Sequence, residues 1–110
     1  MQQKTLYNVA KEFTRFPGGR RRKNGDHSGE EFRETVVLPL LEKYEFITFD
    51  LSGSAGYSSG FLDEAFGEIG AILGLDEARR RVEFIASDDP EAIETCWLRI
   101  GDAAAEKGIQ

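Results

Sequence analysis

Cysteine and histidine are almost absent from this sequence, which contains one of each, Cys96 and His27. A single cysteine cannot form an internal disulfide, and one cysteine with one histidine cannot supply the clustered ligands of a structural zinc site. We therefore predict a domain that binds neither a metal nor a cofactor.

Long apolar runs are also missing. No stretch approaches the roughly 18 apolar residues that a membrane-spanning helix needs. The segment MQQKTLYNVA at the start lacks the charged and then apolar layout of a signal peptide. We therefore expect a cytoplasmic protein that makes no membrane contact.

The composition is that of a folded soluble domain, with 40% apolar and 31% charged residues in a chain of 110. A chain of this length supports one hydrophobic core, so we predict a single domain over residues 1–110. The net charge of −6 is unevenly distributed, because residues 1–27 hold seven lysines and arginines against two acids. Such a segment is either an arm for nucleic acid or a basic loop that folds back on an acidic body, and we favour the second interpretation.

The amino-terminal region predicts strands followed by a loop. Apolar residues stand among polar ones without a long helical stripe in residues 5–13, which favours a strand, and a second strand is expected to end near Phe16. Residues 17–29, PGGRRRKNGDHSG, contain four glycines, a proline and an Asn-Gly pair, the composition of a mobile loop.

A helix is predicted to start after Ser28. Ser28 and Glu31 fit a capping box, in which the hydroxyl accepts a helix N–H and the carboxylate reaches back. Apolar residues at three-to-four-residue spacing extend this helix to about Lys43. Pro39 falls inside the pattern and predicts a kink or an early break.

The remaining sequence alternates strands and helices. FITFDL, residues 46–51, is almost continuously hydrophobic and predicts a central strand covered on both faces. A helix is expected from Ser59 to a stop at Gly74, with acids facing outward and an apolar stripe. The stripe consists of Phe61, Leu62, Ala65, Phe66, Ile69 and Ile72, and the acids are Asp63, Glu64 and Glu68.

RVEFIA, residues 81–86, predicts a further strand, and Pro90 starts a last helix whose apolar positions include Cys96 and Trp97. The element order predicts an α/β fold, a central mixed sheet of about four strands with helices packed on it.

Two adjacent serines stand where the helix after the central strand begins. The free N–H groups and partial positive charge of a helix start favour a capping hydroxyl and favour phosphate. In a structural role, Ser58 or Ser59 caps the helix while Gly56 and Gly60 permit the turn. In a functional role, one serine is a phosphoacceptor whose charge would repel the neighbouring acids.

The arrangement resembles the STAS domain of anti-sigma-factor antagonists, in which Asp-Leu-Ser-Gly ends a central strand and Asp-Ser-Ser-Gly opens a helix. The matching segments are FDLSG (49–53) and YSSGF (57–61), with Tyr57 where the antagonists have aspartate. The longer stretch from SGEEFRE (28–34) to SGFLDEAFG (59–67) looks still more like a STAS-like family of uncharacterised bacterial proteins.

The resemblance implies a STAS-like fold and a regulatory domain that binds a protein, either a histidine-kinase-type ATPase or an anti-sigma factor. It implies that the ATPase-fold kinase phosphorylates the first serine, Ser58, with Ser59 as the neighbouring candidate. The implied contact surface comprises Gly56, Tyr57, Gly60, Asp63 and Glu64.

The basic run supports an alternative function, a nucleotide- or nucleic-acid-binding module. Arginine forks and a helix start both suit an anion, and the candidate residues are Arg20, Arg21, Arg22, Lys23 and Ser28. A solvated charge run explains the same residues about as well. The spacing is not that of a P-loop, and the acidic body disfavours nucleic acid.

Catalysis is not expected. His27 lies in a flexible-looking loop, and nothing in the sequence fixes it as a base beside a serine or cysteine nucleophile. Acids on helix surfaces, such as Asp63 and Glu64, are usually only solvated. We therefore predict a non-enzyme.

Overall fold

Three strands and seven α-helices form two layers in the computed structural model, which describes residues 2–109. The strands are β1 (Gln2–Asn8), β2 (Tyr44–Asp50) and β3 (Val82–Ile85). The helices are α1 (Val9–Glu12), α2 (Gly29–Phe32), α3 (Leu38–Lys43), α4 (Ser59–Phe66), α5 (Glu68–Leu73), α6 (Leu75–Arg81) and α7 (Pro90–Lys107). The predicted α/β class is therefore confirmed.

The sheet has the order β1-β2-β3, and both neighbouring pairs are parallel. The prediction of about four strands in a mixed sheet is wrong for residues 2–109. The strand expected over residues 5–13 stops at Asn8, because the Asn8 side chain accepts the Lys11 N–H at 2.8 Å and starts α1. The second strand expected near Phe16 is replaced by a turn at Phe13 and a bend at Arg15 and Phe16.

The helices lie on one face of this sheet. Crossovers between parallel strands are right-handed, so a strand order that follows the chain places both crossovers on the same side. The side chains of Phe49 and Phe84 point into the core. The alternate positions of the strands face the other side of the sheet, where Leu6 is 58% exposed and Glu83 is exposed. Strand β2 is central and buried as predicted, but its helical cover is on one face.

Aromatic rings join the two layers around Phe32, a fully buried residue of α2. Its ring meets those of four core neighbours at centroid distances of 5.6–6.3 Å and that of Phe13 at 4.9 Å. The four neighbours are Tyr7 of β1, Phe49 of β2, and Phe61 and Phe66 of α4. One side chain therefore contacts three elements of the fold.

Pro39 does not break its helix. A π-helical segment, Arg33–Val37, joins α2 to α3, and the Leu38 N–H donates to the Arg33 carbonyl five residues earlier. Proline lacks an N–H and its ring would crowd the carbonyl four residues before it. The wider π-turn gives the chain a way past that conflict, so the helix continues to Lys43.

The later elements differ from the predicted order by one added helix, α6, which the sequence did not predict, and by two further details. The helix from Ser59 is divided at Gly67 into α4 and α5, and Gly74, at φ +79°, ends α5 as expected. Ile72 is half exposed and does not belong to the core. Strand β3 and helix α7 lie where predicted, with Cys96 buried and Trp97 packed against the core. Within residues 2–109, no helix has both the length and the apolar character to cross a membrane.

Helices α5 and α7 approach so closely that a side chain at Gly70 would overlap the backbone carbonyl of Ile100. We predict that Gly70→Ala lowers the free energy of unfolding by roughly 1–3 kcal/mol, as overpacking does. Gly101→Ala is the matched control on α7, where a Cβ meets open space and alanine should stabilise by about 1 kcal/mol. Urea unfolding measures both changes, and equal stability of the two variants would contradict the predicted packing.

Candidate functional site

Helix α4 begins one loop beyond the carboxyl end of β2, and Ser58 caps it. The Ser58 hydroxyl oxygen accepts the Phe61 N–H at 3.0 Å, and the hydroxyl also reaches the Gly18 carbonyl oxygen at 3.4 Å. Ser58 and Ser59 are both exposed. The capping role is confirmed, and the phosphoacceptor role stays a prediction.

Tyr57 holds the loop against the core. Its hydroxyl donates to the Leu51 carbonyl oxygen at 2.9 Å, and its ring lies 5.8 Å from that of Phe61. Burial raises the pKa of Tyr57 to about 12. Gly56 takes φ +136°, a conformation that favours glycine, and is exposed. Gly56 is thus open to a partner, whereas Tyr57 is half-buried.

Hydrogen bonds join the segments that follow the carboxyl ends of strands β2 and β3, next to this loop. The Ser87 N–H donates to the Ser52 hydroxyl at 2.9 Å, and the Gly53 N–H donates to the Asp88 carboxylate at 3.0 Å. Burial would raise the pKa of Asp50, but hydrogen bonds from Ser52 and other groups lower it overall. These polar side chains satisfy loop N–H groups, which gives them a structural role.

The loop of residues 17–29 has a defined path, although its composition predicted mobility. The Gly18 N–H donates to His27 at 2.9 Å, the Gly29 N–H to Gly19 at 2.9 Å, and the Glu30 N–H to Arg20 at 3.0 Å, each at a backbone carbonyl. A 3-10 turn, Arg22–Asn24, forms its tip. The backbone bonds tie both ends of the loop to the start of α2.

The arginines of the loop contact carboxylates of the helices. Arg20 pairs with Asp63 and, at 3.7 Å, with Glu64; Arg21 lies 3.7 Å from Glu64. The Arg22 guanidinium donates to Glu34 at 2.9 and 3.0 Å. The hydrogen bond to Asp63 is the main cause that raises the pKa of Arg20. The basic loop therefore folds back on an acidic body, as the favoured interpretation of the charge pattern predicted.

Glu64 is the centre of these pairs and does not face solvent, contrary to the predicted helix pattern. It also pairs with Arg33, and the two side chains are only 11% and 17% exposed. Arg33 donates in addition to the Glu64 backbone carbonyl at 3.2 Å. Sequence reasoning missed Arg33, since a single arginine among the acids of an amphipathic helix is an ordinary surface residue.

Ser28 is fully buried and caps α2 by accepting the Glu31 N–H at 3.0 Å. The Glu31 carboxylate accepts the His27 N–H at 3.1 Å, one residue before the N–H expected in the capping box. The start of α2 is confirmed. The Ser28 hydroxyl is closed to an external anion, and the paired arginines leave exposed Lys23 as the remaining basic group of the predicted anion site.

The two sequence-predicted sites are in fact neighbours. A Cβ added at Gly60 would lie 3.5 Å from the Arg20 Cβ and 3.7 Å from its Nε. The basic loop therefore packs along the first turn of α4, beside Ser58 and Ser59. Residues 40 positions apart in sequence form one surface, which we call the loop–helix surface: residues 15–20 and 53–60.

The family match defines this chain as a STAS-like domain. A family model described as "STAS-like domain of unknown function (DUF4325)" matches residues 28–92, more than half of the chain. The chain belongs to that family. The match runs from the cap of α2 into the first turn of α7, so it includes Ser58 and leaves out Arg20. Comparisons with curated proteins and with solved structures gave no significant match.

We predict that Glu64→Gln lowers the free energy of unfolding by roughly 1–3 kcal/mol, because it leaves the largely covered Arg33 with only the more exposed Glu34 carboxylate, 3.9 Å away. The control is Glu77→Gln, which breaks an exposed pair with Arg80 on α6 and should cost under about 0.5 kcal/mol. Chemical denaturation of the three proteins measures this. Equal losses in the two variants would show that Glu64 is an ordinary surface acid.

Tyr57→Phe should remove one of two tyrosines that titrate near pH 12, the other being Tyr7. The phenol pKa is raised by folding from 10.0, so its stabilising contribution is present below pH 10 and is lost as the pH rises through 12. We expect the variant to be less stable by about 1 kcal/mol at neutral pH, with a smaller difference above pH 10. Absorbance at alkaline pH counts the titrating phenols, and an unchanged curve near pH 12 would contradict the burial of Tyr57.

Proposed function

We propose that this domain is a non-catalytic regulatory module that binds a protein partner through the loop–helix surface. The observation that carries the proposal is the position of Ser58, an exposed hydroxyl that caps α4 directly after the central strand. The family match supports it, because the matched residues include this loop and helix start.

The chemistry of the other reactive side chains supports a role without catalysis. Cys96 is buried in α7, and burial raises the pKa of its thiol, so it stays protonated and unreactive. The His27 ring packs edge-on to Phe13 at 5.2 Å. Among residues 2–109, no three His, Cys, Asp or Glu side chains group as metal ligands.

The contact surface we propose differs in part from the one that the sequence predicted. Gly53, Ala55, Gly56, Ser58 and Ser59 are exposed. Asp63 and Glu64 are engaged by arginines, so they present less charge to a partner than free helix acids would. The partner would therefore contact a loop of small, uncharged residues, with the charged side chains of the basic loop beside it.

Phosphorylation at Ser58 would alter this surface through Arg20. A kinase would form a bond between the Ser58 oxygen and the γ-phosphorus of ATP and break the bond from that phosphorus to the bridging oxygen. ADP and the hydroxyl proton leave, and Ser58 gains about −1.5 to −2 charge. The Arg20 guanidinium lies along Gly60 and is bonded to Asp63, so the phosphate would compete with Asp63 for it. The hydroxyl contact with the Gly18 carbonyl would also be lost. Both changes act on the basic loop.

The partner we propose is a histidine-kinase-type ATPase or an anti-sigma factor. The support is the family resemblance together with the serine at the start of α4. Affinity capture from the source cell, with intact-mass measurement of the recovered domain, identifies the partner and detects an added phosphate.

Ser58→Asp should weaken binding of the captured ATPase or anti-sigma factor about tenfold or more, because it adds negative charge at the contact surface. Ser58→Asn is the matched control, since asparagine caps a helix as well as aspartate but carries no charge. Titration calorimetry measures both affinities. Equal affinity of wild type, Ser58→Asp and Ser58→Asn would overturn the proposed switch.

A further inference from the structure

We infer that Phe16 is an apolar anchor of the same contact surface and inserts into a pocket of the partner. This inference rests on the proposed function and adds a residue that the sequence pattern did not single out. Phe16 is 68% exposed, the highest value among the large apolar side chains of residues 2–109. A lone exposed apolar residue is common, so exposure alone carries no conclusion.

The geometry around Phe16 distinguishes it from a chance exposure. On one side, the Arg15 carbonyl oxygen accepts the Ala55 N–H at 2.8 Å. On the other side, the Gly18 carbonyl oxygen contacts the Ser58 hydroxyl at 3.4 Å. Phe16 therefore lies between two attachments to the loop that leads into α4, on the surface that carries Ser58.

The backbone of Phe16 is held in place as well. Its N–H donates to the Thr14 hydroxyl at 3.0 Å, and Pro17 follows with a fixed φ. The Thr14 N–H donates to Val9, a fully buried residue, at 2.9 Å. Because the backbone of Phe16 is already held in place, binding of a partner to this ring restricts it little further, which lowers the entropic cost of binding.

The surroundings of Phe16 indicate the kind of pocket that would accept it. The Arg15 guanidinium carbon lies 5.8 Å from the centre of the Phe16 ring, and Arg15 is exposed. A phenyl ring beside a cation fits an apolar pocket with a carboxylate at its rim. Aromatic residues that fill such pockets carry a large share of the binding energy in protein interfaces.

Site-specific photo-crosslinking in the source cell tests the inference. Benzoylphenylalanine replaces Phe16, Ser59 or Ile72 in the full chain, one position at a time. Ile72 is the matched control, a half-exposed apolar residue near the end of α5. We expect positions 16 and 59 to crosslink to the same protein and position 72 to give no crosslink to it.

Truncation of the ring supplies the second measurement. Phe16→Ala should lower the affinity for that crosslinked protein about tenfold or more, while Ile72→Ala leaves it unchanged. Thermal unfolding of Phe16→Ala should match wild type, since most of the ring is already in solvent. The inference is overturned if position 59 captures a partner while position 16 does not, or if Phe16→Ala binds as tightly as wild type. If neither position captures a protein, the proposed function fails as well.

Discussion

The contacts of Phe32 are the interaction on which the rest of the structure depends. This buried ring joins the first two strands to α4 through Tyr7, Phe49 and Phe66. One turn earlier, Gly29 lets α2 approach the Phe61 carbonyl so closely that a Cβ would lie 2.5 Å from its oxygen. The start of α2, where the basic loop ends, is thereby fixed against the start of α4, where the serines lie.

Electrostatic contacts act on this apolar frame. The arginines of the basic loop reach Asp63 and Glu64 because α2 and α4 are in contact, and Arg33, the first residue of the π-helical segment after α2, covers Glu64. The exposed pairs contribute little to stability on their own. Their importance lies in position, because they hold the basic loop along the first turn of α4 and next to Ser58.

Local patterns predicted the elements that local chemistry determines. The continuous hydrophobicity of FITFDL, the serine caps at 28 and 58, and the alternation in RVEFIA all correspond to observed elements. The strand predicted over residues 5–13 is cut short for a local reason too. The Asn8 cap starts α1 where the apolar pattern suggested that the strand would continue. The early break that Pro39 could have caused does not occur, because a π-turn, which has no clear sequence signal, lets the helix pass it.

The arrangement of the site could not be predicted in the same way. The ion pair of Arg20 with Asp63 joins residues 43 positions apart, and Arg33 reaches Glu64 across 31. Composition alone does not show whether the basic loop is mobile or held by ion pairs, because the acidic partners lie far away in the sequence. Likewise, Phe16 looked like the end of a strand, and only the contacts of Arg15 and Gly18 place it beside Ser58.

The central claim is that a partner binds where the basic loop meets the start of α4. Hydrogen–deuterium exchange of the domain, free and in complex with the protein recovered from its source cell, tests this most directly. The account predicts added protection in residues 15–20 and 53–60, with little change on the exposed face of the sheet around Leu6. Protection confined to that sheet face or to the outer surface of α7 would contradict it.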